Sequence, residues 1–572
     1  MVKIERFLPS LIIISSCLLF LFGFLDKLAM PLAEWDHVTL DAAENWSKGV
    51  NEPWLFDHPP LYPIYLTILF KVFGSGITVA RLGNAFCVIL TAMKVFQMTS
   101  KLYDRQAAVW ASAVYLSNPV VIQGVTSLDV GDTSILPLLF IFFLEAVLRN
   151  SSRSGLSNTV ILAFITMFCF WAKVTSTLGL VVSLGVAVFV FRMFKGRRKA
   201  PRKWIPTGAG LAVGIVLFLA TWTLFSLVLW GKHSCLSILS TPWLAVHARY
   251  PQAGFTSMAL NTGYDALRLL AWFSPHLVIL WLLAGWEFIR GDLEERCFLG
   301  ANGSILFLTL FIYSAVHMLI GGTNYGFPRY HAAIWPAASV FIGPVILGGL
   351  SSMRREAIPR FILLGTAAFL YFAFLHPDPL YFLNLRLKEM LLSGTDQQSV
   401  VRTLFTTIAP IYLLPFLFWG IFRFRRIGPR KTLLISFLLA AIVSVFALNI
   451  QQLLAYYRTA YQYGAEGKDE LIGKVREKIH FGDSVLATPE FIYALREKGV
   501  PEIGYSPWGS REQFQGFIDD KRPSAIIGGL TVNTYKQLRW LIGEESALLR
   551  ECRDRYDFEK MGTYFLCISK RM

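Results

Sequence analysis

Charge is scarce in this sequence. Only 16% of its 572 residues are Asp, Glu, Lys or Arg, where soluble domains carry about 25%. With 54% hydrophobic residues, that shortage excludes a disordered chain, a coiled coil and an ordinary cytosolic enzyme. No CxxC pair occurs among the 7 cysteines, so the spacing of a zinc or dithiol motif is missing. No fixed-period repeat or low-complexity tract is present, which removes solenoids and propellers. Almost no acid falls in the middle of an apolar run, where a transporter's ion or proton relay would need one.

What the sequence has instead is apolar runs near the length that crosses a bilayer. Hydropathy predicts about thirteen spans, at 8–25, 78–99, 107–125, 133–148, 158–173, 176–194, 207–230, 266–289, 302–321, 332–351, 359–375, 403–422 and 432–454. Lys3 and Arg6 precede the first run, and no Ala-x-Ala cleavage site follows it. The expectation is a retained anchor rather than a signal peptide. With the N-terminus inside, every second loop is basic: Lys101/Arg105, Arg149/Arg153, 195–203, 290–296, 353–360 and 423–431. The opposite loops are poorer in Lys and Arg, and the first, 26–77, is acidic. This is the positive-inside pattern. The net charge of +16 therefore reports orientation, and nucleic acid is not an expected partner. The expected home is a bacterial inner membrane, with the C-terminus outside.

Residues 456–572 differ from the rest. They carry more charge and no spanning run. Short apolar runs at 484–489, 523–530 and 563–570 alternate with helical patterns at 491–499 and 534–542, which predicts a soluble α/β domain. The fold class is thus a polytopic α-helical membrane protein. Its membrane domain covers residues 1–455, and a C-terminal α/β domain covers 456–572. Cys552 and Cys567 both fall in this exported domain, where oxidation is permitted. Spacing alone leaves their pairing open.

The acids gather just outside the membrane. The first outer loop contains AEWDHVTLDAAENWSKG (33–49) and FDHPPLYPIYL (56–66). Its 36–48 stretch has helical spacing and is expected to lie at the interface, with Asp36 placed as an N-cap. The loop SLDVGDTS (127–134) offers Asp129 and Asp132, and NYGFPRYHAAIWP (324–336) precedes a late span. Three outer cations break the positive-inside trend: Arg81, Lys173 and Arg329. Packing explains Arg81 and snorkelling competes for Lys173, while Arg329 is better explained as a phosphate ligand and Tyr330 could equally belong to the interfacial aromatic belt.

These motifs resemble the GT-C superfamily of polyprenyl-phosphate-sugar glycosyltransferases, in its aminoarabinose-transferase and protein O-mannosyltransferase-like branch. DHPPLY (57–62) with RLGNA (81–85), PWLAVHARYPQAGF (242–255) and FPRYHAAIWP (327–336) carry the resemblance. The family's Asp-Glu reads Asp36-His37 here, its Tyr four residues on is Leu40, and its Thr-Lys is Ala172-Lys173.

The resemblance implies an enzyme that takes a sugar from a polyprenyl-phosphate donor to a glycan, lipid or protein acceptor, with inversion. It implies Asp36 as general base and Asp129 as a second acid at the site. Asp57, His58, Lys173, Arg329, Tyr330 and Arg81 become substrate-binding candidates. Chemistry agrees, since acceptor activation needs a base and the leaving phosphate needs cations. A divalent metal on Asp57 and one of His37, His247 or His331 is a further candidate, without metal-ligand spacing to support it. Trp35, Trp46, Trp54 and Trp243 are candidates to stack on sugar or isoprenoid, or to anchor at the interface. The competing readings are a ligase or polymerase that uses a lipid-diphosphate oligosaccharide, and a transporter or flippase.

Overall fold

The structure is a computed structural model. It describes residues 2–28, 36–50, 59–125, 127–128, 131, 133–153, 155–195, 204–230, 275–290, 301–325, 332–351, 358–375, 402, 410, 413–421, 429–456, 467–478, 484–487, 491, 495, 502–505, 519–520, 522–529, 554–561 and 564–570.

The membrane domain is helical. In chain order the elements are α1 (Val2–Lys27), α2 (Asp36–Ser47), α3 (Leu61–Phe73), α4 (Ile77–Leu102), α5 (Arg105–Ser117), α6 (Pro119–Gly124) and α7 (Ile135–Ser152). Then follow α8 (Leu156–Ala172), α9 (Val174–Lys195), α10 (Trp204–Trp230), α11 (Pro275–Arg290), α12 (Ala301–Tyr325), α13 (Trp335–Ser351), α14 (Ile358–Leu370), a π-turn (Tyr371–Leu375) and α15 (Pro429–Tyr456). Four described helices, α4, α7, α9 and α10, are long and apolar enough to cross a membrane. Their lipid-side residues stay exposed, as Leu82, Phe86, Ile89 and Met93 do on α4. In water such a face would be a liability; in hydrocarbon it is the solvent-matched surface.

Two sequence expectations are refined. The predicted span 107–125 is two helices, α5 and α6. Pro119 has no N–H to give to the α5 ladder, and the Asn118 side chain caps the new helix by accepting from the Val120 N–H at 2.9 Å. The long first loop holds a second helix, α3, besides the expected α2. At 13 residues, α3 is about 20 Å long, too short for the hydrocarbon core.

Small residues let the central helices approach. A Cβ at Gly343 of α13 would lie 2.5 Å from the Ala107 carbonyl oxygen of α5, so only glycine fits there. Close packing of this kind replaces the hydrophobic drive that lipid cannot supply. Helices α4, α5, α7 and α13 share one buried core through Val88, Val95, Trp110, Phe140, Phe143 and Phe341.

The C-terminal segment forms a mixed five-stranded sheet, in the order β2-β1-β3-β5-β4. Its strands are β1 (Ser484–Ala487), β2 (Glu502–Tyr505), β3 (Ala525–Gly529), β4 (Tyr556–Met561) and β5 (Tyr564–Ser569). Strands β2, β1 and β3 are parallel, while β5 runs antiparallel to β3 and β4. Helix α16 (Lys468–Lys478) places Leu471 and Val475 on a core of Val485, Ala487, Ala525, Ile527 and Leu566. The alternate residues Leu486, Ile526, Phe565 and Cys567 are buried as well, so β1, β3 and β5 are covered on both faces. Three of these strands fall where the sequence predicts them; β2 and β4 lie outside the predicted runs. Cys567 is buried in β5 opposite Ile526 and Phe558, while Cys552 lies outside the described residues.

Candidate active site at the Asn84 end of the bundle

Asp36 sits in the first turn of α2 and is 1% exposed. Its Oδ1 reaches out of the helix and accepts the backbone N–H of Leu128 at 2.8 Å. That bond joins the two acidic loops, because Leu128 directly precedes Asp129 in the chain. Asp129 itself lies outside the described residues, as do Asp57, His58, Arg329 and Tyr330. His37 opens α2 beside Asp36, with its side chain outside the described set.

The second loop is held by Asn84, a residue that the sequence singles out only as a member of the RLGNA stretch (81–85). Asn84, on α4, is fully buried. Its Nδ2 donates to the Val125 carbonyl at 3.1 Å and to the Ser127 carbonyl at 2.8 Å. Its Oδ1 accepts the Tyr62 hydroxyl at 2.8 Å. One amide thus pins α3, α4 and the second loop together. A lone Asn on an apolar helix is the available signal, since such a group must find partners. Past Asp129 the chain turns at Gly131, whose φ is +73°. A Cβ there would come within 2.8 Å of the Tyr62 ring, so glycine meets both the backbone and the space requirement.

The phenols here are donors, not bases. Burial pushes Tyr62 well above its ordinary value; the Asn84 bond offsets some of this, and the Asp36 charge adds to the rise. Burial likewise raises Tyr65, whose hydroxyl donates to the Gly83 carbonyl at 2.8 Å. A carboxylate such as that of Asp36 can accept a proton where these phenols cannot. Three residues on, the Thr39 hydroxyl is buried with no hydrogen-bond partner among the described residues.

Arg81 is 1% exposed, and its Nη1 donates to the Leu28 carbonyl at 2.6 Å. It ties α4 to the point where the chain leaves α1, which is the packing alternative to the phosphate role. Lys173 occupies the extended link between α8 and α9 and is half-buried. Its amide bonds back to the Cys169 carbonyl at 2.9 Å, and its carbonyl accepts from Thr177 at 3.1 Å. Beside it stands an aromatic wall that sequence reasoning missed. The Trp171 ring lies edge-on to Trp222 at 5.7 Å and to Phe225 at 5.1 Å. Its indole N–H donates to Thr221 at 2.9 Å. Leu61 and Ile64, which follow the DHPP stretch, pack on the same cluster.

Among the described residues no group of three His, Cys, Asp or Glu side chains comes together. The candidate metal group of Asp57 and a histidine falls outside them.

The whole chain superposes on crystal structures of ArnT from Cupriavidus metallidurans. For the undecaprenyl-phosphate complex the TM-score is 0.55 at 10% identity, covering 98% of this chain and 97% of that one. For the apo state the TM-score is 0.55 at 12% identity, with the same coverage. The chain shares the fold of ArnT. A family model described as dolichyl-phosphate-mannose-protein mannosyltransferase matches residues 57–223. That interval begins at Asp57 and takes in Asn84, Asp129 and Lys173. A fainter likeness, TM-score 0.48 at 11% identity over 99% of this chain and 75% of the other, is to the archaeal oligosaccharyltransferase AglB from Archaeoglobus fulgidus. No curated protein matches the chain.

Proposed function

We propose that this integral membrane protein is a glycosyltransferase that moves a sugar from a polyprenyl-phosphate carrier to an acceptor on the outer face. The observation that carries the reading is the buried Asp36 carboxylate, bonded to the loop that bears Asp129 at the same end of the bundle as Lys173. The acceptor's hydroxyl or amine attacks the sugar's anomeric carbon. The bond from that carbon to the phosphate oxygen breaks, the polyprenyl phosphate leaves with the electron pair, and the acceptor's proton passes to Asp36. A single displacement inverts the anomeric centre. The leaving phosphate gains charge, which Lys173 meets as a point charge and Arg329 by bidentate contact. The Trp171–Trp222–Phe225 wall suits the first isoprenoid units beside that phosphate.

The C-terminal sheet is placed outside in this reading and serves acceptor recognition, and the membrane is a bacterial inner membrane. Support comes from the fold shared with ArnT, the match over 57–223 and the ArnT structure with undecaprenyl phosphate. The test compares envelope glycans by mass spectrometry in cells making the native chain or Asp36→Asn. Removing a general base costs about 10²–10⁴-fold in rate, so the transferred sugar should fall to trace levels while the variant folds. Unchanged glycans with a folded Asp36→Asn protein would overturn the assignment.

A further inference from the structure

The other end of α4 carries a second charged group that sugar transfer does not use. Glu145 of α7 accepts from three cations. Lys94 of α4 pairs with its Oε2; Lys101 and Arg149 reach its Oε1 at 3.3 and 2.8 Å. Among the described residues, three positive groups around this one carboxylate leave an excess of two. Lys94 is buried, and its ammonium sits 4.5 Å over the Phe142 ring. The Lys101 and Arg149 side chains are 61% and 53% exposed, so the unneutralised charge is the portion that faces outward.

An apolar track leads up to it. Leu82, Phe86, Ile89 and Met93 form one exposed stripe on α4, and Phe142 is exposed on the adjoining α7. Continued by one helical repeat each time, that stripe passes Gln97 and ends on Lys101. Met93 and Ile89 lie about 12 and 18 Å from Lys101 along the axis. That is roughly the depth of one leaflet's acyl chains. A headgroup held at Lys101 and Arg149 would therefore lay its chains on Met93, Ile89 and Phe142.

We infer that Lys101 and Arg149, backed by Lys94, form a headgroup site for an anionic diacyl phospholipid. The inference needs only that α4 and α7 cross a membrane; in the orientation proposed above it faces the inner leaflet. Charge complementarity selects an anionic over a zwitterionic lipid, as for other basic sites between membrane helices. The stripe selects a lipid over a free phosphate.

The full chain is reconstituted in phosphatidylcholine vesicles with or without phosphatidylglycerol and re-extracted; the retained lipid is counted by mass spectrometry and melting is followed. The native chain should retain phosphatidylglycerol several-fold over phosphatidylcholine and melt higher with it. The double variant Lys101→Gln/Arg149→Gln, which leaves the Lys94–Glu145 pair in place, should lose both effects. If the double variant does not fold, Lys101→Gln alone should lose most of the preference. Equal retention of the two lipids by the native chain, or an unchanged preference in a folded variant, overturns the site. So does displacement of phosphatidylglycerol by soluble glycerol phosphate at equal concentration.

Discussion

At one end of α4, Asn84 holds two carbonyls and a phenol, and the Asp36 carboxylate takes a backbone N–H from the loop beside them. At the other, Lys94, Lys101 and Arg149 converge on Glu145. The two clusters are about 25 Å apart along one helix. They bury polar groups by different means. Around Asn84 the partners are neutral, two carbonyls and a phenol: each bond nets about 1 kcal/mol, and its value lies in fixing where loops sit. The Lys101 end is ionic, with a large desolvation cost that holds only while the partners are complete. The first arrangement suits positioning; the second suits a structural joint with charge left over.

The sharpest way to break that contrast is at Glu145. Glu145→Gln keeps the shape but leaves Lys94 as an uncompensated buried cation, which should cost about 3–5 kcal/mol. Against a total stability of about 5–15 kcal/mol, the variant should express poorly or melt far lower in detergent. Replacing both members, Lys94→Met with Glu145→Leu, should recover native stability or exceed it. A double variant as unstable as Glu145→Gln would show that the pair is more than mutual compensation.

A smaller loss is expected at the Asn84 end. Asn84→Ala strands the Val125 and Ser127 carbonyls and the Tyr62 hydroxyl, for about 1–3 kcal/mol in stability. In the proposed reading the functional effect should exceed the structural one, because Asn84 holds the Val125 and Ser127 carbonyls of the stretch that leads to Asp129. Turnover should fall more than the apparent affinity for the donor. A KM change with turnover intact would make Asn84 a binding residue instead of a positioning one.

How much of this is legible depends on which physical signal each region leaves in the chain. Long apolar runs are strong signals: the span predicted at 78–99 is helix Ile77–Leu102, and that at 207–230 is Trp204–Trp230. Helix α3 escapes hydropathy because LYPIYLTILFKVF is too short for a spanning window and starts among prolines. The sheet's β2 and β4 escape it because EIGY and YDFEKM carry no apolar run. At the candidate site, the motif singles out Asp36, and the structure buries it. Its partner cannot be read, since Leu128 offers only a backbone N–H, a group shared by all residues but proline. Asn84 is legible in principle, as a polar group on an apolar helix. The Trp171–Trp222 contact joins α8 to α10 across 51 positions of sequence, and no local pattern reports such a contact.

The smallest effect expected is in pH, and it separates the two ends by chemistry. Tyr62 is raised above its ordinary value of 10.0 by burial, so its neutral form is the one the fold favours. Its contribution is then fully present below pH 10 and is lost as pH rises through the higher folded value. Across neutral pH the phenol should leave stability and activity flat, and above about pH 10 melting should fall. Tyr62→Phe removes the bond to Asn84, for about 1 kcal/mol at neutral pH, and also removes the group that must ionise. The variant should therefore start slightly lower and fall less steeply in alkali, so the two melting curves converge. Parallel curves would mean that Tyr62 is not the alkaline trigger and that Tyr65, held on the Gly83 carbonyl, carries it instead.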